Sequence, residues 1–214
     1  MRSRVALALG IALLLLAACS TTGGSGQLAT TQREVSGFTK VELSGQGDLT
    51  IEQTGTESLT ISAEENLLPL LTSDVSGDTL VLGTKPNTTI VPSQPITYSV
   101  TVKDLNGLAV SGSGTISAPK LATTDLTTKI SGSGTITVNG AANDQNLEIS
   151  GSGRYQAEGL TSKTVKARIS GSGNATVMAT DVLDVAISGS GSLTYSGNPE
   201  VKQEISGSGK LINK

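Results

Sequence analysis

The pentapeptide ISGSG occurs five times in this chain of 214 residues, at 130–134, 149–153, 169–173, 187–191 and 205–209. A sixth copy reads VSGSG at 110–114, and a degenerate seventh reads LSGQG at 43–47. The serines that open the six regular copies follow one another at intervals of 18 to 20 residues. A repeat of this period with strand-forming residues between the copies predicts a β-solenoid.

Apolar residues alternate with polar ones on both sides of the pentapeptide, and the alternation passes through it without a change of phase. Around the copy at 130–134 the apolar-phase positions are Leu126, Thr128, Ile130, Ile136 and Val138. Alternate side chains of a strand lie on one face, so the two glycines take interior positions and the serines face outward. We therefore predict that each SGSG is a sharp corner where an interior Cβ would clash.

The predicted fold is all-β: a parallel β-helix of about six to seven coils with SGSG corners and a less regular N-terminal part. Each coil would return through a looser segment of variable length, such as 139–146 or 158–164. Flexible Gly/Ser linkers are the alternative, but linkers need to keep neither period nor phase. The structural turn glycines predicted in this way are Gly45, Gly47, Gly112, Gly114, Gly132, Gly134, Gly151, Gly153, Gly171, Gly173, Gly189, Gly191, Gly207 and Gly209.

The composition suits a narrow interior built without large side chains. Hydrophobic residues make up 36% of the chain and aromatic residues 2%, with neither Trp nor His. The core must therefore consist of Val, Ile, Leu and Ala. The formal net charge of −3 indicates no nucleic-acid partner, because such a surface needs clustered Lys and Arg.

The N-terminal residues are typical of a bacterial lipoprotein signal. Two arginines precede the apolar run at 5–18, which is too short for a comfortable membrane span and ends in LAAC. We predict a signal peptide at 1–18, lipidation of Cys19, and a flexible tether over 19–33. Ser20 after the cysteine favours the outer membrane of a Gram-negative cell, with the lipid as the membrane anchor.

The remaining chain, 34–214, is predicted to be one domain with irregular N-terminal coils at 34–104 and regular repeats at 105–214. Segments 57–63, 78–83 and 96–102 alternate like strands and would form longer coils that cap one end. At the other end, Lys210 and Lys214 would blunt the exposed edge, although the same face could stack onto another subunit.

The residues offer little catalytic chemistry. Without His, the Ser-His-Asp and Cys-His arrangements are excluded. A carboxylate pair could still hydrolyse sugars, but the candidates scatter along the chain: Asp125, Asp144, Glu148, Glu158, Asp181 and Asp184. Asp48 alone is a weak calcium ligand. We predict no catalytic residues, no cofactor and no metal.

A binding surface is the other possibility. Arg154, Lys163, Lys166 and Arg168 form a small basic group in the sequence. Lys166 and Arg168 share outward phase, so both could meet an anionic partner, and Arg154, Lys166 and Arg168 are the candidate contacts. A solvated strand face is the alternative. Tyr155 and Tyr195 fall on the interior phase, and Phe38 is expected to anchor the first coil.

The lipoprotein signal, the segments VSGFTKVELSGQGDLTIEQ (35–53) and ISAEENLLPLL (61–71), and the serial SGSG corners together resemble the bacterial head GIN domain family, whose members are described as auto-transporter adhesins. The resemblance implies a pectin-lyase-like β-helix whose two sheets meet at GSG turns, without recognised catalytic residues. By this analogy the chain would be a non-catalytic, lipid-anchored envelope protein with an adhesin-like or scaffold role and an unidentified polysaccharide or protein ligand. Homo-oligomerisation, including a trimer, is suggested by the same analogy. A carbohydrate-active enzyme and an envelope-stress or signalling accessory remain alternatives.

Overall fold

The computed structural model describes residues 20–214, in which 17 strands and one short 3₁₀ helix occur. Cys19 and the predicted signal peptide at 1–18 lie outside the described residues. The strands are β1 (Ser20–Gly23), β2 (Leu28–Arg33), β3 (Lys40–Gly45), β4 (Asp48–Gln53), β5 (Ser58–Glu64), β6 (Leu71–Ser76), β7 (Thr79–Thr84), β8 (Thr88–Val91), β9 (Thr97–Val102), β10 (Gly107–Gly112), β11 (Thr115–Gly132), β12 (Thr135–Gly151), β13 (Arg154–Gly171), β14 (Asn174–Gly189), β15 (Ser192–Ser196), β16 (Glu200–Gly207) and β17 (Lys210–Asn213), and the helix spans Leu68–Leu70.

Two parallel sheets meet along the line of SGSG corners, which confirms the predicted parallel β-solenoid. The first sheet contains β3, β10, the C-terminal parts of β11 to β14, and β16. The second sheet contains β4, the N-terminal parts of β11 to β14, β15 and β17. Equivalent corner residues lie opposite one another, so that Ser131 pairs with both Ser111 and Ser150.

The return segments form a third paired side rather than loose loops. Residues 121–123 pair in parallel with 140–142, which pair in turn with 160–162. The ladder shifts register where each coil enters this side, as between Ala118 and Leu121. These irregularities take up the extra residues of longer coils, so the period drifts between 18 and 20 while the first sheet stays in register.

The solenoid has about 5 continuous turns, fewer than the six to seven predicted. The corner at 43–47 does belong to the stack, because β3 pairs with β10 in the first sheet. Residues 54–106 separate it in sequence from the next corner; their strands β7 and β9 pair with β3 and β4, but the segment contains no SGSG corner. Counting corners therefore overestimates the number of consecutive turns.

The N-terminal end is covered by antiparallel strands, not by the longer coils that we predicted. The three strands expected in this part are present as β5, β7 and β9. β7 pairs with β3 and then, antiparallel, with β6. β9 pairs with β4 and, antiparallel, with β5, which carries β2 on its other edge. The first sheet thus ends at this side in the reversed strand β6. The second continues through the reversed strand β5 to β2, which again runs in the direction of β9.

The predicted flexible tether is wrong for the described part of 19–33. Ser20–Gly23 pairs with β8, and Leu28–Arg33 pairs with β5. The Arg33 guanidinium also donates 2.9 Å hydrogen bonds to the carbonyls of Leu68 and Leu71. Small polar residues are typical of a linker in the sequence, yet Thr favours strands, and β5 supplies the backbone partner for 28–33.

Columns of identical or similar apolar side chains fill the interior. Ile130, Ile149, Ile169 and Ile187 lie on successive rungs of the first sheet, and each is at most 1% exposed. Phe38 is buried where the first rung begins. This stacking lets β-branched and Leu side chains supply the buried apolar area that aromatic residues usually provide. Among the residues described, no helix is long and apolar enough to cross a membrane.

Candidate functional site

The first glycine of a corner lies against the backbone of the preceding rung. At Gly171 φ is +112°, a conformation that favours glycine. A Cβ built there would stand 2.6 Å from the carbonyl oxygen of Gly151. The first glycine therefore faces its neighbouring rung and not the core, which corrects the prediction that both glycines face inward. Because φ is positive, the Cβ direction at this glycine does not follow the inward–outward alternation of the flanking strands.

The second glycine does face the core. A Cβ built at Gly173 would stand 2.5 Å from Cγ2 of Ile149, one rung earlier. The backbone around it is bonded to the previous corner, since Ser172 N donates to Gly151 O at 2.9 Å and Asn174 N donates to Gly153 O at 3.0 Å. Stacked corners are thus held both by close packing and by hydrogen bonds.

The corner exposes two serine hydroxyls on each regular rung. The first serines of the corners pair in register from β3 to β16. We call this column the serine ladder: Ser44, Ser111, Ser131, Ser150, Ser170, Ser188 and Ser206. Neighbouring strands of a sheet lie about 4.8 Å apart. The serine ladder therefore presents hydroxyl groups at a regular spacing along one edge of the solenoid.

Charged side chains follow the serine ladder on the outer face of the first sheet. Lys129 Nζ lies 3.7 Å from Glu148 Oε2, and Arg168 is the next register partner of Glu148. An open, shallow groove of about 550 Å³ runs over this face between Glu148, Arg168 and the neighbouring serines. The combination of hydroxyls and opposite charges suits a polar ligand that lies along the rungs.

The four basic residues grouped in the sequence do not form one cluster, and Lys163 lies apart from the others on the third side. Lys166 and Arg168 are exposed on the outer face of the first sheet. Arg154 follows the corner and pairs with Thr135 and Asn174 in the second sheet. Acidic neighbours also offset the charges of Lys166 and Arg168, because Lys166 is a register partner of Asp184 and Arg168 of Glu148. The surface alternates in charge and is not a basic patch.

The structure brings together only two of the carboxylates considered for catalysis. Asp125 and Asp144 are register partners on adjacent rungs, and both are exposed. The others are spread over the coil: Glu158 accepts a hydrogen bond from Lys214, Asp181 accepts one from Thr180, and Glu148 and Asp184 neighbour basic residues. Asp48 lies beside Thr97 and Thr115. Within 20–214, no three acidic or cysteine side chains gather in a group that could hold a metal.

The N-terminal cap contains a buried carboxylate, that of Glu64. Glu64 Oε1 accepts 2.6 Å hydrogen bonds from Gly26 N and the Ser93 hydroxyl, and Oε2 accepts from Ser93 N at 2.8 Å. The hydrogen bond from the Ser93 hydroxyl is the largest cause that lowers the pKa of Glu64, while burial opposes it. Glu64 thereby joins the segment after β1 to the loop before β9. Its donors come from distant parts of the chain, which a sequence pattern cannot reveal.

The aromatic residues are not a sugar-binding surface. Tyr155 is buried at 1% exposure and Tyr195 is half-buried, as their interior phase predicts. Tyr98 is buried in β9. Exposed aromatic faces are therefore absent from the described rungs, and the outer face offers hydroxyl and charged groups instead.

Fold and surface together define a β-solenoid that presents a repeated polar face beside its corners. A family model described as "Putative auto-transporter adhesin, head GIN domain" matches residues 37–199, and the chain belongs to this family. The match spans both the N-terminal cap and the regular rungs, as the resemblance in sequence predicted.

Solved structures share the fold. A putative adhesin from Bacteroides fragilis is 24% identical with a TM-score of 0.72, and the alignment covers 90% of this chain and 99% of that one. A putative adhesin from Parabacteroides distasonis is 22% identical with a TM-score of 0.57, over 91% and 100%. A protein from the same organism described as a putative lipid binding protein is 24% identical with a TM-score of 0.55, over 91% and 100%. No curated protein matches the sequence.

Proposed function

We propose that this chain is a non-catalytic, lipid-anchored protein of the bacterial cell envelope that acts as an adhesin-like binding or scaffold module. The observation that carries the proposal is the outer face of the first sheet, where the serine ladder lies beside charged residues in strict register. A parallel solenoid holds the backbone of such a face rigid, so binding to it needs little ordering of the backbone. Membership of the head GIN family supports the adhesin-like role.

The ligand that best fits this face is an extended polar chain, such as an envelope polysaccharide or a protein segment. Serine hydroxyls both donate and accept hydrogen bonds, and Arg168 can donate two parallel bonds to a carboxylate or sulfate. The test is binding of the chain from Ser20 onward to envelope polysaccharides and matrix proteins, compared with the R168E variant. We expect R168E to weaken binding at least about tenfold, since a buried or bidentate charged contact is worth about 1.5–3 kcal/mol.

Lys163→Glu is the matched control, because Lys163 is an exposed lysine of the same strand on the third side. K163E changes the net charge by the same amount as R168E, but at a position outside the first sheet. Equal binding by R168E and the wild type, or loss of binding in K163E alone, would place the ligand elsewhere. Absence of any binding across both ligand classes would contradict the adhesin-like role.

Lipid attachment at Cys19 would hold this module at a membrane. Cys19 directly precedes β1, which is paired with β8, so the anchor would stand next to the folded cap. The test is the C19S variant in a Gram-negative host, followed by fractionation and labelling with a radioactive fatty acid. We expect the wild type in the outer-membrane fraction with label, and C19S without label. Label in C19S would refute the anchor site.

One observation favours an enzyme instead, namely the adjacent carboxylates of Asp125 and Asp144. Glycosidases use two carboxylates at short separation, one of which needs a raised pKa and exclusion of water. Both side chains here are exposed, which supports a non-catalytic surface. A screen of envelope glycans with the wild type and the D125N/D144N variant decides between them. Products formed by the wild type alone would establish the enzyme.

A further inference from the structure

The C-terminal end of the solenoid, unlike the N-terminal end, has no covering strand within the described residues. β16 pairs with β14 alone and β17 with β15 alone. Ile205 continues the interior column of Ile187, yet its exposed fraction is 37% against 1% for Ile187. Solenoids need a polar cap over the last repeat to remain soluble. The last rung therefore offers both apolar side chains and an unpaired backbone edge.

The direction of the backbone groups in β16 follows from its pairing. The residue of β11 equivalent to Lys202 is Thr127, whose N donates to Asn106 O on the preceding rung. Alternate residues of a parallel strand point their N–H and C=O groups to opposite neighbours. The even-numbered residues of β16 thus bond to β14, whereas Val201, Gln203 and Ile205 point their backbone groups at the open edge.

The side chains of β16 are self-complementary in one antiparallel register. If two copies pair around Gln203, Val201 lies opposite Ile205 of the second copy, and Lys202 lies opposite Glu204 of the second copy. The two-fold axis creates each of these contacts twice. A register centred one residue earlier would place Lys202 against itself, and one centred one residue later would place Glu204 against itself. Like charges directly opposite one another destabilise a strand pair.

We propose that two copies of this chain join end to end through antiparallel pairing of β16 around Gln203. The contact extends the first sheet across the dimer and covers the apolar residues of both last rungs. It is a closed dimer and not a filament, because the N-terminal end of each copy finishes in the antiparallel cap. This inference does not depend on the lipid anchor or on a ligand.

The test uses charge reversal and its rescue in the chain from Ser20 onward, which contains every core residue. Sedimentation equilibrium of the wild type should show a monomer–dimer equilibrium. K202E and E204K should each raise the dimer dissociation constant at least about tenfold, because two attractive cross-strand pairs become repulsive. The K202E/E204K double variant restores both pairs in reversed sense and should return the constant to within about threefold of the wild type.

Lys166→Glu is the matched control, since Lys166 and Lys202 both flank Asp184 in the first sheet. K166E removes a lysine beside Asp184, as K202E does, but on an inner rung that the second copy does not contact. It should therefore leave the dimer dissociation constant unchanged. A further variant, Q203P, removes the central outward N–H and should abolish the dimer without unfolding the edge strand. A monomer at all concentrations, a trimer or filament, or a double variant that stays as weak as either single variant would overturn the proposal.

Discussion

The hydroxyl of Tyr155 donates a 2.9 Å hydrogen bond to Gln145 Oε1 inside the core. Gln145 Nε2 donates in turn to the Ser162 hydroxyl at 2.6 Å, and all three side chains are buried. Gln145 stands in an apolar column between Leu126 and Val165. The third side of the solenoid is therefore fixed to the first sheet by a polar chain that crosses the interior.

Replacing Tyr155 with Phe should lower the free energy of unfolding by about 1–3 kcal/mol, because the Gln145 carbonyl would lose its buried donor. Urea denaturation measures the change. Tyr195→Phe is the control, as Tyr195 is half-buried and lies near the open end. Equal stability of the two variants would mean that the polar chain contributes nothing to the fold.

The two glycines of a corner should both be far less tolerant than the serine between them. Gly171→Val introduces strain at positive φ together with a backbone clash, and Gly173→Val overlaps Ile149. We expect each to lower the free energy of unfolding by more than about 3 kcal/mol. Ser172→Val, which is exposed, should change it by at most about 0.5 kcal/mol. Similar urea midpoints for the three variants would rule out the stacked corner.

Acid should weaken the N-terminal cap through Glu64. The pKa of this carboxyl is lowered from 4.5 in the folded state, chiefly by the hydrogen bond from Ser93. Its stabilising contribution is therefore full above the unfolded-state pKa and disappears as the pH falls through the lowered folded-state value. The melting temperature of Glu64→Gln should fall less steeply below pH 4.5 than that of the wild type. Glu65→Gln, an exposed neighbour, should behave like the wild type.

Alkali should destabilise the fold through Tyr98, whose pKa burial raises to about 12. Unfolded tyrosine ionises near pH 10, so folding favours the neutral phenol. The contribution is complete below about pH 10 and is lost as the pH rises through about 12. Tyr98→Phe should retain more of its stability than the wild type over this interval in urea titrations. The same loss in both proteins would show that other groups cause the alkaline unfolding.

The phase of the apolar residues was enough to predict the solenoid, because every rung repeats the same inward set. Ile149 and Ile169, for example, occupy equivalent positions before successive corners, and the structure stacks them. The exposed serines follow from the same alternation. The alternation of apolar and polar residues cannot reveal a departure from strand geometry, so it does not predict that Gly171 faces the preceding rung.

The remaining errors have one cause, which is pairing with distant partners. Thr30 and Thr31 lie in a segment that reads as a linker, yet β5 holds it in an antiparallel pair. The third side was mistaken for loops because its small polar residues become strands only when the neighbouring rungs are present. The donors of Glu64 lie 29 to 38 residues away in the chain. None of these relationships leaves a local periodic pattern.

Because every corner rests on an equivalent corner, the rod can grow or shrink by whole coils without disturbing those that remain. A duplication of one unit would add about 4.8 Å of height and one more exposed hydroxyl pair, whereas a single inserted residue within SGSG would put every inward side chain of the strand after it on the wrong face. The length of the rod is thus an evolvable quantity in this architecture, set in discrete steps by gene-level copying of a motif of fewer than two dozen residues.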